Sequence, residues 1–558
     1  MFCSNKIIFL IVTVLIAQIN VNAESSSNPF GIVPQPQFSK VEPNKSAFHI
    51  SSETQITYNH INAKPIAELL REKLQPATGF DIEFKQVNDL TNATIQIQYL
   101  QSDQIKDEAY TLEASSSGVT IQAHSVEGLQ YGVQTLLQLL PSEIFSSQKI
   151  ADHEWAIPAC VITDHPRFLD TRGLHIDISR HFFDKEQLKQ LINVIAMHKL
   201  NTLHLHLTDD QGWRIPISKY PKLITVGSRS DHTLFTKSKP KFPEGPEKYL
   251  SKRDIKELIR YARKYNIQII PEIDMPGHMA AAIAAYPNLK ALNDDRSIPR
   301  VIRIDRQGLE FCKAVLTEIN ELFEHPKYIH IGFDEVNLGR GENLIHSDED
   351  IARFATQLTA FIKKDLKTTP IVWCDAFTHG LNDPDTTVQW WRSSKIAWWK
   401  KHKYTIDESL LMADQPFILS PAHVIYFDMK NTSGDAGAKW AKPISVAECY
   451  NWDPVLDLNG FDETKQDLLR GLTACVWTEH IKDSETLFER ILPRIAAFSE
   501  NAWSMHDRNS SKHLSWVQYR DEILIPYQLK RYDAMGWNYW SKNQPSKLLD
   551  LPDKIKEW

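Results

Sequence analysis

The chain of 558 residues predicts an α/β protein, a (β/α)8 TIM barrel preceded by a small α+β domain. Three observations lead there. From Asp164 onward, short β-branched or aromatic runs alternate eight times with longer stretches, several of them amphipathic. Nearly every short run ends in a carboxylate, an imidazole or an indole. The stretch before Asp164 has a different texture, with strands that alternate polar and apolar residues. A chain of this length also exceeds what one ordinary core organises, so more than one domain is expected.

The N-terminus reads as a targeting segment. Lys6 supplies a short positive region, Ile7 to Ala17 an apolar core, and Val21-Asn22-Ala23 a small-x-small cleavage pattern. Residues 1–23 are therefore expected to be a signal peptide, and the mature chain to be exported, periplasmic or secreted. Residues 24–165 form the expected α+β domain, opening with a lead-in rich in Ser, Asn, Pro and Gln. Thr94–Tyr99 and Gly118–Ala123 alternate like strands. Ser125 to Leu140 reads as a helix capped by serine and stopped before Pro141.

The barrel is expected over 166–505. Its strands are predicted at Arg172–Ile178, Thr202–Leu207, Gln268–Glu272, Tyr328–Phe333, Ile371–Cys374, Thr387–Trp391, Val424–Phe427 and Leu472–Trp477. Helices are predicted at Lys185–His198, Lys252–Tyr265, Gly308–Phe323 and Asp350–Asp365. Residues 506–558 read as helical, rich in Trp and Tyr, and packed on the barrel.

Composition excludes several classes. Hydrophobic residues make up 42% and charged residues 24%, with a formal charge of -7, so no basic surface for nucleic acid is indicated. The five cysteines after residue 23 are widely spaced and odd in number, which favours buried thiols over a disulfide framework. Fifteen tryptophans mostly serve packing, but indoles also stack on sugar rings.

In a barrel of this kind the site lies at the C-terminal ends of the strands. Those ends carry His204-x-His206 with Asp209 and Asp210, Asp274 with His278, His330-x-Gly332-x-Asp334-Glu335, Asp375, Trp390-Trp391, Tyr426 with Asp428, and Trp477 with Glu479. Along the fourth strand, His330, Gly332 and Asp334 share the face toward the barrel axis, and Gly332 leaves room there for substrate. Neighbouring carboxyls repel, so their pKa values separate. One then remains an acid near neutral pH while the other is anionic, the pairing that glycoside cleavage uses.

The ordered set Arg172-Gly with Asp177-x-Ser-Arg-His181, His204-x-His206-x-x-Asp209-Asp-Gln, Asp274-x-Pro-Gly-His278, His330-x-Gly-x-Asp334-Glu335, Tyr426-x-Asp428 and Trp477-x-Glu479 resembles the β-N-acetylhexosaminidases of glycoside hydrolase family 20. The resemblance spans most of the chain. It implies an exo-acting retaining hydrolase, without cofactor, that releases terminal β-linked N-acetylhexosamine from an oligosaccharide or glycoconjugate. The substrate's own 2-acetamido oxygen is the nucleophile, a departure from the two-carboxylate scheme. By resemblance, Glu335 is the acid/base, Asp334 holds the acetamido N–H and Tyr426 its oxygen. Trp373, Trp391 and Trp477 wall the sugar; Arg172, Asp428 and Glu479 hold its hydroxyls; Asp209 and His278 support Glu335. Asp375 stands where many members carry Glu.

Two rival readings use the same residues. His204-x-His206 has ligand spacing, and Asp209, Asp274 and His278 could complete a metal site; loss of activity in EDTA with recovery in zinc would favour it. A non-catalytic glycan-binding protein would fail to turn over an aryl N-acetyl-β-glucosaminide. Monomer and homodimer are both compatible with the sequence, as are glucosamine and galactosamine substrates.

Overall fold

The computed structural model describes residues 28–87, 94–101, 108–230, 242–336, 345–393, 396, 414–455, 463–505 and 513–553. The expected signal peptide lies outside the described residues. Among those described, no helix is long and apolar enough to cross a membrane.

The N-terminal domain is a seven-stranded mixed sheet. Its strands are β1 (Phe38–Val41), β2 (Gln55–Tyr58), β3 (Phe84–Gln86), β4 (Thr94–Tyr99), β5 (Tyr110–Ser115), β6 (Gly118–Ala123) and β7 (Cys160–Asp164), in the order β1-β7-β5-β6-β4-β2-β3. Alternation decides which face is covered: Val119, Ile121 and Ala123 of β6 are buried, while the residues between them are partly exposed. Helices α1 (Lys64–Thr78) and α2 (Val126–Leu139) belong to the same domain. Helix α2 starts where Ser125 Oγ accepts the Gly128 N–H at 3.0 Å.

Eight parallel strands then close a barrel: β8 (Thr171–Asp177), β9 (Thr202–His206), β10 (Gln268–Met275), β11 (Tyr328–Gly332), β12 (Thr369–Trp373), β13 (Thr387–Trp390), β14 (Phe417–Leu419) and β15 (Leu469–Val476). Closure is made by β8 on β15, with Thr171 opposite Gly471 and Ile176 opposite Val476. The outer helices include α3 (Lys185–Met197), α4 (Lys252–Arg263), α5 (Arg306–Leu322) and α6 (Asp348–Phe361), each begun by an aspartate or serine cap.

The seventh strand corrects the sequence reading. Val424–Phe427 is a turn that makes a single bridge, Tyr426 to Cys475, and the strand is Phe417–Leu419, three residues that pair with both neighbours. The apolar run Val424-Ile-Tyr-Phe passes for a strand because it still joins β15 locally: Phe427 N–H meets Cys475 O at 2.7 Å, and Cys475 N–H meets Ile425 O at 2.9 Å. Tyr426 thus stands just beyond the strand proper.

The two domains share a buried polar seam. The Lys199 ammonium lies 2.7 Å from Asp164, which also accepts the Trp503 indole N–H at 3.0 Å. C-terminal residues brace the same region, with Arg531 donating to Gly31 O and Gln138 O at 2.8 and 2.9 Å. Cys160, Cys312, Cys374, Cys449 and Cys475 are buried free thiols.

Candidate active site

The fourth strand ends in three left-handed residues: Gly332 at φ 69°, Phe333 at 71° and Glu335 at 49°. L-residues pay for this conformation, so the turn is held by its surroundings. It swings Asp334 inward, where it is 8% exposed, and leaves the Glu335 side chain 53% exposed. The room expected beside Gly332 is not free for substrate. A Cβ there would lie 1.8 Å from Asp274 Oδ1, so the glycine admits a carboxyl from β10. That strand bulges: Glu272 pairs with His330 and Met275 with Gly332, three steps against two.

Asp274 is fully buried, and neither of its carboxyl oxygens meets an N–H or O–H donor among the described residues. Burial first, and the Asp334 charge second, hold it well above the ordinary carboxyl range. Asp334 is also raised, by burial and then by Asp375 and Glu272, while His278 opposes the shift.

Glu335 heads a chain of alternating charge. Its Oε2 lies 3.8 Å from His278 Nε2, which lies 3.6 Å from Asp334 Oδ2. The other His278 nitrogen is 3.2 Å from Asp209 Oδ1. Asp209 Oδ2 meets His206 at 2.8 Å and Arg180 at 2.8 Å. His206 in turn faces Glu272 at 2.9 Å. Burial works against charge on His278, but Asp209, Asp334 and Asp274 overcome it and keep the ring an imidazolium well above its usual range. Burial likewise opposes His206, yet Glu272 and Asp209 push it up to about 10. For Glu335, half-exposed but crowded by protein on its inner side, partial loss of water raises the pKa, His278 lowers it, and Asp334 and Asp375 raise it again; the net shift is upward.

Several of these groups could each offer one atom to a common ion: His206, Asp209 and Asp274; Asp209, Asp210 and His278; Asp274, His278 and Asp334; and His175, His204 and Glu272. Their distances also suit direct imidazole–carboxylate pairing. His204 lies 2.9 Å from Glu272, and His330 lies 3.2 Å from it.

The aromatic residues cluster at the same end of the barrel. Trp391 and Tyr426 stack at 6.3 Å with their planes 7° apart, and Tyr426 lies 6.4 Å from Trp477. Trp373 and Trp477 lie 6.0 Å apart, and Trp373 donates its indole N–H to Glu272 at 2.8 Å. Burial keeps the Tyr426 hydroxyl protonated. Trp390 points the other way, buried against Phe377. Asp428 and Glu479 line the remaining side. Burial, then the Glu479 charge, pushes Asp428 up to about 8.

Arg172 is the expected site residue that the structure removes. It sits at the start of β8, the end of the barrel opposite the acids, and is fully buried. Its guanidinium donates to Lys199 O at 3.0 Å and to the Tyr131 hydroxyl at 2.7 Å, and pairs with Glu108 at 2.7 Å. It belongs to the domain seam. The guanidinium beside Trp477 and Glu479 is that of Arg180, a member of the Asp177-x-Ser-Arg-His181 run for which the resemblance implied no role. Arg180 lies over the Trp477 ring at 5.0 Å, 2.8 Å from Asp209 and 3.9 Å from Glu479 Oε1. The rim rule could have found it, because only Arg180 follows the C-terminal end of the first strand.

The catalytic-domain model of glycosyl hydrolase family 20 matches residues 170–506, and the model of that family's domain 2 matches residues 30–165. The chain belongs to glycosyl hydrolase family 20. As a family 20 member it is a glycosidase. A β-hexosaminidase of Akkermansia muciniphila is 30% identical over 474 residues, covering 80% of this chain and 89% of that protein. Among solved structures, the family 20 β-N-acetylhexosaminidase of Streptomyces coelicolor A3(2) superposes with a TM-score of 0.79 at 29% identity, over 93% of this chain and 99% of that one. A variant Streptomyces plicatus β-hexosaminidase in complex with the product GlcNAc gives 0.78 at 28% identity, over 94% and 98%.

Proposed function

We propose that this family 20 enzyme removes terminal, non-reducing β-linked N-acetylhexosamine from oligosaccharides or glycoconjugates, with retention and with the substrate's 2-acetamido group as nucleophile. One observation carries the reading. The buried Asp334 acts on the Tyr426 hydroxyl through its charge, Tyr426 stacks on Trp391, and Asp375 ties Trp391 to the backbone of Glu335, so Asp334, Tyr426, Trp391 and Glu335 gather at one end of the barrel. An acetamido nucleophile needs an acceptor for its N–H, a donor for its oxygen and a dry enclosure, and these groups supply all three.

In the first step the acetamido oxygen attacks C1 as the bond from C1 to the leaving oxygen breaks. Glu335, with its pKa raised, gives its proton to that oxygen. Asp334 accepts the acetamido N–H and faces the positive charge that spreads over the cyclised intermediate. The Tyr426 hydroxyl donates to the acetamido oxygen. In the second step Glu335, now a carboxylate, takes a proton from the water that attacks C1, and the ring reopens with the original configuration. Arg180, Asp428 and Glu479 hold the sugar hydroxyls, and Trp373, Trp391 and Trp477 enclose the ring and acetamide.

Glu335→Gln tests the assignment. Removing a positioned acid costs ~10²–10⁴ in rate, so cleavage of chitobiose is expected to fall by that factor with KM little changed. Near-normal turnover would overturn it. Comparable wild-type rates on β-glucosides that lack the acetamide would overturn the choice of nucleophile. Export rests on the charged and apolar pattern of residues 1–23, and a mature N-terminus near residue 24 is the expected result of sequencing the secreted protein.

A further inference from the structure

One buried carboxylate outside the assigned set touches both halves of the site. Asp375 is 2% exposed and lies just past β12, in the first turn of the short helix Cys374–Thr378. Its Oδ1 accepts the backbone N–H of Glu335 at 3.1 Å. Its Oδ2 accepts the indole N–H of Trp391 at 2.8 Å. Arg392 closes the group with a charged contact to Oδ1. Three donors from the fourth and sixth strand ends thus meet on one side chain of the fifth.

We infer that Asp375 is a positioning residue for the reaction: it holds the acid/base residue's backbone in its left-handed turn and fixes the acetamide-facing tryptophan to the same anchor. The inference rests on Glu335 being the acid. A non-glycine residue in the left-handed region is strained, and Glu335 sits there at φ 49°. A hydrogen bond from its N–H to a charged acceptor is among the stronger ones in a protein and offsets that strain. Without the Asp375 acceptor, the Glu335 turn is free to relax and the carboxyl to drift from the leaving oxygen.

The carboxylate is specific for this task. Glu335 N–H, Trp391 Nε1–H and the Arg392 guanidinium are all donors. An asparagine presents one acceptor oxygen and one NH2, so it must set donor against donor at Glu335 or at Trp391. Asp375→Asn keeps the volume and the shape, so it isolates this loss from a packing defect.

The experiment compares wild type, Asp375→Asn and Glu335→Gln on a series of aryl N-acetyl-β-glucosaminides, together with chitobiose. A misplacement of about 1 Å costs up to ~10²-fold. Asp375→Asn is therefore expected to lose ~10–100-fold in kcat/KM on chitobiose and on poor leaving groups, and little on the most acidic phenol, which departs without a proton. The basic limb of its pH profile should also move to lower pH, because one anion that raises the Glu335 pKa is gone. Trp391→Phe keeps a ring beside Tyr426 but removes the donor to Oδ2, and it is expected to weaken binding while leaving the dependence on the leaving group unchanged. A folded Asp375→Asn enzyme, matched to wild type by circular dichroism, that loses equally on every leaving group with its basic limb unmoved would overturn the inference. If Glu335→Gln itself shows no dependence on the leaving group, the acid assignment fails instead.

Discussion

Asp209 Oδ1 lies 3.2 Å from His278 Nδ1, on the side of the ring away from Glu335. The imidazolium between them connects a buried anion to the acid of the reaction. Burial opposes the Asp209 anion, but Arg180, His278 and His206 hold its carboxyl far below the usual range. Asp209 is thus ionised throughout the working range, and it keeps His278 charged. The His278 charge in turn limits how far the Glu335 pKa rises.

Asp209→Asn should therefore shift the pH profile. Without the Asp209 anion, the His278 pKa falls, and its positive charge near Glu335 fades at neutral pH. The Glu335 pKa then rises further, so its acid form persists to higher pH. The basic limb of kcat/KM is expected to move upward, opposite to the shift argued for Asp375→Asn. The second step, which needs the Glu335 carboxylate, should slow near neutral pH. Profiles measured from pH 4 to 9 on one aryl substrate decide it, and an unmoved basic limb would refute the coupling.

The arginine that opens the first strand and the one that follows it should fail in different ways. Arg180→Ala removes a rim guanidinium beside Glu479 and Trp477. A charged hydrogen bond to the sugar contributes about 1.5–3 kcal/mol, so kcat/KM should fall ~10–150-fold, and Tm should fall as well because the buried Asp209 loses a cationic partner. Arg172→Ala removes a fully buried guanidinium that pairs with Glu108 and donates to Lys199 O and Tyr131, a loss of roughly 3–5 kcal/mol. Its signature is a lower Tm, with near-normal KM in the protein that remains folded. Melting curves and kinetics on both variants separate the roles.

The contrast between these arginines marks how far the sequence was legible. Both lie in one short motif, and the resemblance spans it whole. Only direction along the strand tells which reaches the rim, and Arg172 opens the strand while Arg180 follows it. Seven of the eight strands were found by apolar periodicity at nearly the observed bounds. The seventh was misplaced because Phe417-Ile-Leu is too short to show a period, whereas Val424–Phe427 is apolar and close by. Gly332 was legible as a required gap but not as the berth of Asp274, since its occupant comes from another strand. Asp375 drew notice as a departure from the family pattern; its three donors come from two other strand ends, and no local spacing encodes that.

Asp428 links the site to stability. Its carboxyl is pushed up to about 8 in the folded protein, against ~3.9 in an unfolded chain. A group raised in this way costs nothing below the unfolded value. As pH climbs from about 4 to about 8, the unfolded state releases the proton while the folded state retains it, so stability falls across that window and levels off above it. Asp428→Asn cannot ionise and should remove this component. Its Tm relative to wild type is expected to rise steadily between pH 4 and 8, while its kcat/KM drops because the sugar hydroxyls lose an acceptor. Paired melting and kinetic measurements across that range check both halves. A Tm difference independent of pH would show that Asp428 is ionised in the free enzyme, its buried charge compensated by Arg494.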